Sequence, residues 1–339
     1  MGKSKILIIG ASGNLGFHLA EASLKFDHPT FALVRDSAFS DPIKAQKLHS
    51  LSHAGATLLK GSLQDEASIV EAVKLVDVVI SAVSAKQTLD QKLLIRVIKQ
   101  SGSIKRFIPA EFGADPTKVQ IYDLEDGHNF YAPKLEIRQM VEAEGIPYTC
   151  ICCNFFMKIL LPSLVQPGLN APPRDKVTIF GDGNTKGLFD RRRLLISCHV
   201  IVILFVWCLF MKGFFAGVFV KENDVAAFTI STVDDPRTLN KVLYLRPPGN
   251  VCSLNELVEM WETKIGKKLE KSHVSEEELV KKIKGTSYPA NFEQLFIYSA
   301  FIKKDHTYFD IESSNGVNGT ELYPQLKYTT VSEFLDTLV

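Results

Sequence analysis

Gly10, Gly13 and Gly16 stand directly after the apolar run Ile6-Leu7-Ile8-Ile9 and directly before a stretch with helical periodicity. In Gly10-Ala11-Ser12-Gly13-Asn14-Leu15-Gly16 the first glycine permits a tight turn and the second lets a pyrophosphate reach backbone N–H groups at a helix N-terminus. The third permits close helix–strand packing. A glycine triplet alone is weak evidence; strand before and helix after make it a dinucleotide loop rather than a structural turn. The second strand, FALVR, ends in Arg35, where a protein selecting NAD would offer a carboxylate to the ribose hydroxyls. A guanidinium fork suits a phosphate instead, and Lys44 adds a second cation, so NADPH is the expected cofactor. Asp36 is the competing reading, as an acceptor for a ribose hydroxyl.

A second chemical pair lies in Phe130-Tyr131-Ala132-Pro133-Lys134-Leu135-Glu136-Ile137-Arg138. Pro133 is tolerated in a helix's first turn, and Lys134 and Arg138, four residues apart, share one helix face. A Tyr-x-x-x-Lys pair would need tyrosine at 130, where Phe130 stands, so no tyrosine acid is available at that spacing. A lysine beside a bound cofactor and a neighbouring arginine would be desolvated and repelled, which lowers its pKa and makes it a usable base. The residues equally allow both cations to cover a surface helix.

The elements that must hold these groups are legible over residues 5–150. KILIIG, a helix over Leu15–Phe26, FALVR, a helix over Asp41–His53, TLLKG, SIVEAVK, VDVVISAV, DQKLLIRVIKQ, KRFIPAEFG, KLEIRQMVEAEG and YTCICCN alternate as β-α-β units, which close as a parallel, doubly wound sheet. Ser81-Ala82-Val83 should pass near the adenine and ribose, and Phe107-Ile108-Pro109 should approach the nicotinamide, unless both are mere strand ends. From Pro162 the texture changes to Pro/Gly turns, the strand KVTIFG, a helix over Leu254–Ile265, the lysine-rich EEELVKKIKG, FEQLFIYSAFI and a closing helix in TVSEFLDTLV. The division expected is a nucleotide-binding domain over 1–155, to which parts of 175–250 may return, and a smaller mixed α/β substrate region over 156–339.

With 339 residues, 46% of them hydrophobic, and a net charge of +1, the chain can bury a large core and has no electrostatic reason to bind nucleic acid or an anionic membrane. Of the six cysteines, Cys150 and Cys153 formally make a CxxC, but without a second pair or nearby histidines they read as buried thiols rather than redox or metal ligands. The opening MGKSKILIIG has too short an apolar run for a signal-peptide core, which points to a cytoplasmic chain.

One segment fits none of this. Arg191-Arg192-Arg193 precedes the uncharged LLISCHVIVILFVWCLF, residues 194–210, which looks like a marginal membrane span. A true span would put two halves of one fold on opposite sides of a bilayer. Phe214-Phe215-Ala216-Gly217 can be encoded by a pyrimidine run, a CAG and a G, like the end of an intron. A translated, retained intron over residues 188–217 is therefore the expected origin of the insert.

GxxGxxG, Arg35 with Lys44, SIKRFIPAEFG, the Lys134/Arg138 pair, AEGIPYT, PPRDKV, GDGNTKG, DDPRTLNK and LYPQLKYTTVSEFL together resemble the plant isoflavone reductase-like family, nearly end to end. The group labelled pinoresinol–lariciresinol reductase is most similar, and phenylcoumaran benzylic ether reductases and eugenol synthases belong to the same family. The resemblance implies an atypical, NmrA-like short-chain dehydrogenase with an NAD(P)-binding Rossmann domain. It assigns Lys134 as catalytic lysine, Arg138 as a cofactor-contacting arginine, and Gly10 to Gly16, Arg35 and Lys44 as the NADP site. It further implies a small phenolic substrate, no metal, and leaves a homodimer open. The chemistry implied is removal of a phenol proton by Lys134, opening of a benzylic C–O bond to a quinone methide, and hydride delivery from NADPH. Phenylcoumaran, isoflavone and coniferyl ester substrates, and a non-catalytic NADP(H)-sensing regulator, are the alternatives. The chain departs from the family in GASGNLG for GGTGYIG, PAEFG for PSEFG, and Lys304 for a usual glycine. The thirty residues between Gly187 and Val218 are the largest departure.

Overall fold

The computed structural model describes residues 2–121, 130–183, 216–287 and 289–339. Its first half is built by alternation: β1 (Ile6–Ile9), α1 (Asn14–Lys25), β2 (Thr30–Val34), α2 (Pro42–His53), β3 (Thr57–Lys60), α3 (Glu66–Val73), β4 (Val78–Ser81), α4 (Gln91–Ser101), β5 (Arg106–Ile108), α5 (Ala132–Ala143) and β6 (Thr149–Cys152). The first five strands form a sheet in the order β3-β2-β1-β4-β5, all parallel. β1 is buried at every position because helices cover both faces, as a parallel sheet requires.

Strand alternation sends Ile6 and Ile8 to one face and Leu7 and Ile9 to the other. The first pair packs with Val78, Ile80, Val218 and Phe228. The second packs with Val79, Leu94, Ile98, Phe107 and Ile137, beneath α3, α4 and α5. β6 continues the sheet beyond β5 through a parallel bridge between Phe107 and Tyr148 and a 2.8 Å bond from the Phe107 N–H to the Pro147 carbonyl.

After β7 (Phe155–Phe156), α6 (Met157–Leu160) and β8 (Lys176–Phe180) come β9 (Gly217–Val220), α7 (Glu222–Thr232) and β10 (Lys241–Tyr244). β10 pairs in parallel with β6, α7 lies on α1, and the late strand β13 (Gly316–Asn318) extends the same edge. The parallel, helix-covered layer therefore takes elements from both halves of the chain. The remaining elements surround a second core centred on the fully buried Trp261. They are β11 (Val251–Cys252), α8 (Leu254–Ile265), β12 (Glu270–Val274), α9 (Glu276–Lys284), α10 (Phe292–Ile297) and α12 (Val331–Asp336), with α11 (Gly319–Leu322) beside β13. Capping boxes at Ser253, Ser275 and Thr330 start α8, α9 and α12.

The segment 194–210, read as resembling a span, lies outside the described residues, as does the insert 188–217 apart from Ala216 and Gly217. Among the described residues no helix is long and apolar enough to cross a membrane. Gly217 opens β9 opposite Cys252, and a Cβ there would lie 2.6 Å from the Phe301 ring, so a larger residue would have to push that ring aside.

Candidate active site

The glycine loop sits where β1 hands over to α1. Gly10 adopts φ +91°, and a Cβ on it would lie 2.6 Å from the Ala82 carbonyl oxygen. A Cβ on Gly16 would stand 2.1 Å from the Gly10 carbonyl oxygen, so Gly16 is what lets α1 start this close to the turn. The N-cap of α1 is Gly13, which has no side chain to cap with, and the first turn holds no acid. The leading N–H groups of the helix are thereby left for an anion.

Gly10, Ser12, Gly13, Arg35 and Lys44 line one groove of about 270 Å³, together with Ser62, Ala82, Val83 and Gln87. Ala11 is buried, and Asn14, the first residue of α1, has the Lys47 ammonium 3.4 Å from its Oδ1. Arg35 is exposed at the end of β2, while Lys44, in the first turn of α2, holds Asp41 at 2.8 Å. Asp36, the competing ribose acceptor, pairs with Lys60 at 3.0 Å. Ser62, Gln87 and Lys47 were not singled out from sequence. The first two lie just past the C-terminal ends of β3 and β4, where ligands of parallel sheets bind, and that position was the available signal.

Lys134 and Arg138 do not cover a surface helix: each is 5% exposed, on the inner face of α5. The Lys134 ammonium donates to the Glu111 carbonyl at 2.8 Å and the Phe112 carbonyl at 3.4 Å, and lies 4.5 Å from the centre of the Phe130 ring. Burial lowers its pKa to about 8 from the ordinary lysine value, against the opposing charge of Glu111. Repulsion by Arg138, expected from the sequence, is not what lowers it. Arg138 donates from Nε to Glu111 at 2.8 Å, from Nη2 to the same carboxylate, and from Nη1 to Asp115 at 2.8 Å. Two carboxylates thus balance its charge and hold its guanidinium firmly protonated. Its guanidinium is not among the side chains lining the groove.

Asp115 in turn accepts from the Tyr244 hydroxyl and from the Thr117 N–H and hydroxyl at 2.9 Å each. Glu111 and Asp115 were missed as functional residues. Their spacing of four in EFGAD matches that of Lys134 and Arg138, but only tertiary contact shows the two pairs facing each other. The cysteines of YTCICCN are fully buried free thiols, and burial pushes Cys153 up to about 12.

Lys134 lines a cavity of about 170 Å³ with Leu15, Ala82, Val83, Ala110, Phe112, Phe130 and Phe156. Ala82 and Val83 also line the groove of the glycine loop, so the two spaces share a wall. Phe112, Phe130 and Phe156 are shared with a third cavity of about 120 Å³, whose lining also includes Asn154, Phe155, Ile159, Phe292 and Phe296. Phe107 and Ile108, expected to approach the nicotinamide, are wholly buried; Ala110 and Phe112, just downstream, line the Lys134 cavity instead. His306, buried against Phe155 at 4.3 Å between ring centres, accepts from the Val218 N–H at 3.3 Å. Its burial and Arg246 depress its pKa to about 3, so it packs as a neutral ring.

The chain is similar to known proteins along nearly its whole length. The chain is 61% identical to the probable pinoresinol-lariciresinol reductase 3 of Arabidopsis thaliana, covering 99% of this chain and 98% of that one. It is 50% identical to the phenylcoumaran benzylic ether reductase IRL1 of Ginkgo biloba, covering 100% of both. The solved structure of AtPrR2 with NADP+ and (+)pinoresinol superimposes with a TM-score of 0.84 at 33% identity, covering 100% of both chains. The model of the NmrA-like family matches residues 2–335. With glycine loop, buried lysine and aromatic cleft in one sheet-based frame and a match along nearly its whole length, the chain belongs to the NmrA-like family.

Proposed function

We propose that this chain is an NADPH-dependent reductase of phenylpropanoid-derived benzylic ethers, of the kind found in pinoresinol and lariciresinol. The observation that carries the reading is the row of three cavities with shared walls, running from the glycine loop past Lys134 to the aromatic cleft. Gly10 to Gly16 would hold the pyrophosphate, and Arg35 and Lys44 the 2′-phosphate. When bound, NADPH supplies the hydride. Arg138 would serve the same end of the site from behind, through Glu111. Phe155, Phe156, Phe292 and Phe296 offer ring faces and edges to a substrate arene. Neutral Lys134 takes the proton of the substrate phenol, the phenolate electrons expel the benzylic oxygen, which leaves as a hydroxyl with a proton from water, to give a quinone methide, and the benzylic carbon then accepts the hydride as the ring electrons return to the phenolic oxygen. The free, buried thiols suit a reducing, cytoplasmic setting.

Residues 188–217 read as an insert in this enzyme. Without them Gly187 would directly precede Val218, placing a glycine at the crowded start of β9.

The test is NADPH consumption by the full chain with lignans, phenylcoumarans, isoflavones and coniferyl esters in parallel. Lignan ethers should be turned over fastest. Tight NADPH binding with no oxidation on any of the four classes would refute the reductase and favour a nucleotide-sensing regulator.

A further inference from the structure

The loop that follows β5 contains two carbonyl groups with an unusual task. A neutral primary amine has two N–H donors and one lone pair, and a carbonyl oxygen can only accept. With the Glu111 carbonyl at 2.8 Å and the Phe112 carbonyl at 3.4 Å, both donors of deprotonated Lys134 are taken up by backbone. The lone pair must then face away from that backbone. Phe130 covers one flank at 4.5 Å, and the remaining side is the cavity that Lys134 lines. Gly113 leaves room for this arrangement: at φ +153° it carries no side chain, and a Cβ would sit 3.2 Å from the lysine nitrogen.

Such an arrangement serves only if the two carbonyls stay in place. The Glu111 carboxylate is gripped by Nε and Nη2 of Arg138, one turn along the helix that bears Lys134, and Nη1 of the same guanidinium holds Asp115. The Ala110 N–H donates to the wholly buried Gln91 at 2.9 Å. Lysine and loop are thereby tied through one arginine. We infer that Glu111, clamped by Arg138, is the positioning residue of Lys134, fixing the backbone carbonyls that aim the lysine lone pair into the cavity.

The inference rests on the reading of Lys134 as the base, but it concerns the lysine itself and can be tested without any substrate. The charged and titratable groups facing Lys134 are Glu111 from the loop and the thiols of Cys152 and Cys153 from β6 and just beyond it. Arg138 from its own helix is neutralised by Glu111 and Asp115.

Glu111→Gln keeps the carbonyl and the side-chain shape while removing the charge and half of the grip on Arg138. The titration of Lys134 is read by NMR of lysine labelled at the ε position, assigned by its absence in Lys134→Met. The expected result is a roughly tenfold fall in proton affinity, since loss of an opposite charge and of firm acceptors both disfavour the ammonium. NADPH affinity should stay within about twofold, and plateau turnover should fall about tenfold or more. An unmoved Lys134 midpoint overturns the inference, as does a loss of NADPH affinity with the midpoint unmoved, which would make the cluster a cofactor site. Should Glu111→Gln fold poorly, Arg138→Lys keeps a cation against Glu111 but cannot bridge both carboxylates. It should lower the proton affinity of Lys134 at least about twofold, and an unmoved midpoint there overturns the inference equally. If no substrate is ever turned over, the reductase reading fails while the lysine titration still decides this one.

Discussion

Replacing Lys134 by Met should make the protein more stable near neutral pH while abolishing turnover. The lysine is 5% exposed and its pKa is about 8 in the folded chain. In the unfolded chain it regains the ordinary lysine value of about 10.4, a difference equivalent to about 3 kcal/mol. Between these two values the unfolded chain holds a proton that the folded chain has released, so the free energy of unfolding rises with pH across the window. Below about pH 8 the penalty of the buried ammonium is fully present; above the ordinary lysine range it is gone. Met fills similar volume without the charge, but it leaves the Glu111 and Phe112 carbonyls without their donor, which costs about 1–2 kcal/mol. The variant should therefore be about 1–2 kcal/mol more stable than wild type at pH 7 and about 1 kcal/mol less stable near pH 10.5. Denaturant unfolding of both proteins at several pH values, with parallel NADPH-consumption assays, measures this. A stability difference that does not change with pH would refute the burial argument, and a Met variant with normal turnover would refute the lysine as base.

Two further substitutions follow from the groove and the backbone. Arg35→Ala should weaken NADPH binding about tenfold or more while leaving NADH binding nearly unchanged, because a charge-assisted contact to phosphate contributes about 1.5–3 kcal/mol; titration with both nucleotides separates this from a general loss of binding. Lys304 adopts φ +63°. Lys304→Gly should raise stability by up to about 1 kcal/mol, read as a higher denaturation midpoint, because a left-handed conformation is strained for any residue with a Cβ.

The glycine loop, the parallel alternation and the cation pair Arg35 and Lys44 were legible in the sequence because each is a local signal. Glycines at fixed spacing between strand and helix answer to backbone geometry, and β-α-β order closes only one way. The helix expected over Leu254–Ile265 forms over those residues, and the strand KVTIFG forms over Lys176–Phe180, stopping one residue short at Gly181. The return of β10, α7 and β13 to the nucleotide-binding sheet was less visible, since nothing in a strand's own residues names its neighbour.

Tertiary structure alone decided the surroundings of Lys134 and Arg138. Four residues apart on a helix, they could have covered a surface or faced a cofactor. Packing buries both, and the depressed pKa of Lys134 comes from that burial rather than from Arg138. Arg138 is balanced by Glu111 and Asp115, which precede it by 27 and 23 residues. The aromatic cleft likewise gathers Phe112, Phe130, Phe155 and Phe296 from four separate stretches of chain. Desolvation, charge pairing and cavity shape depend on what surrounds a side chain in space, so the linear sequence could propose the lysine as a base, while the packed fold supplied its burial, its lowered pKa and its place on a cavity wall.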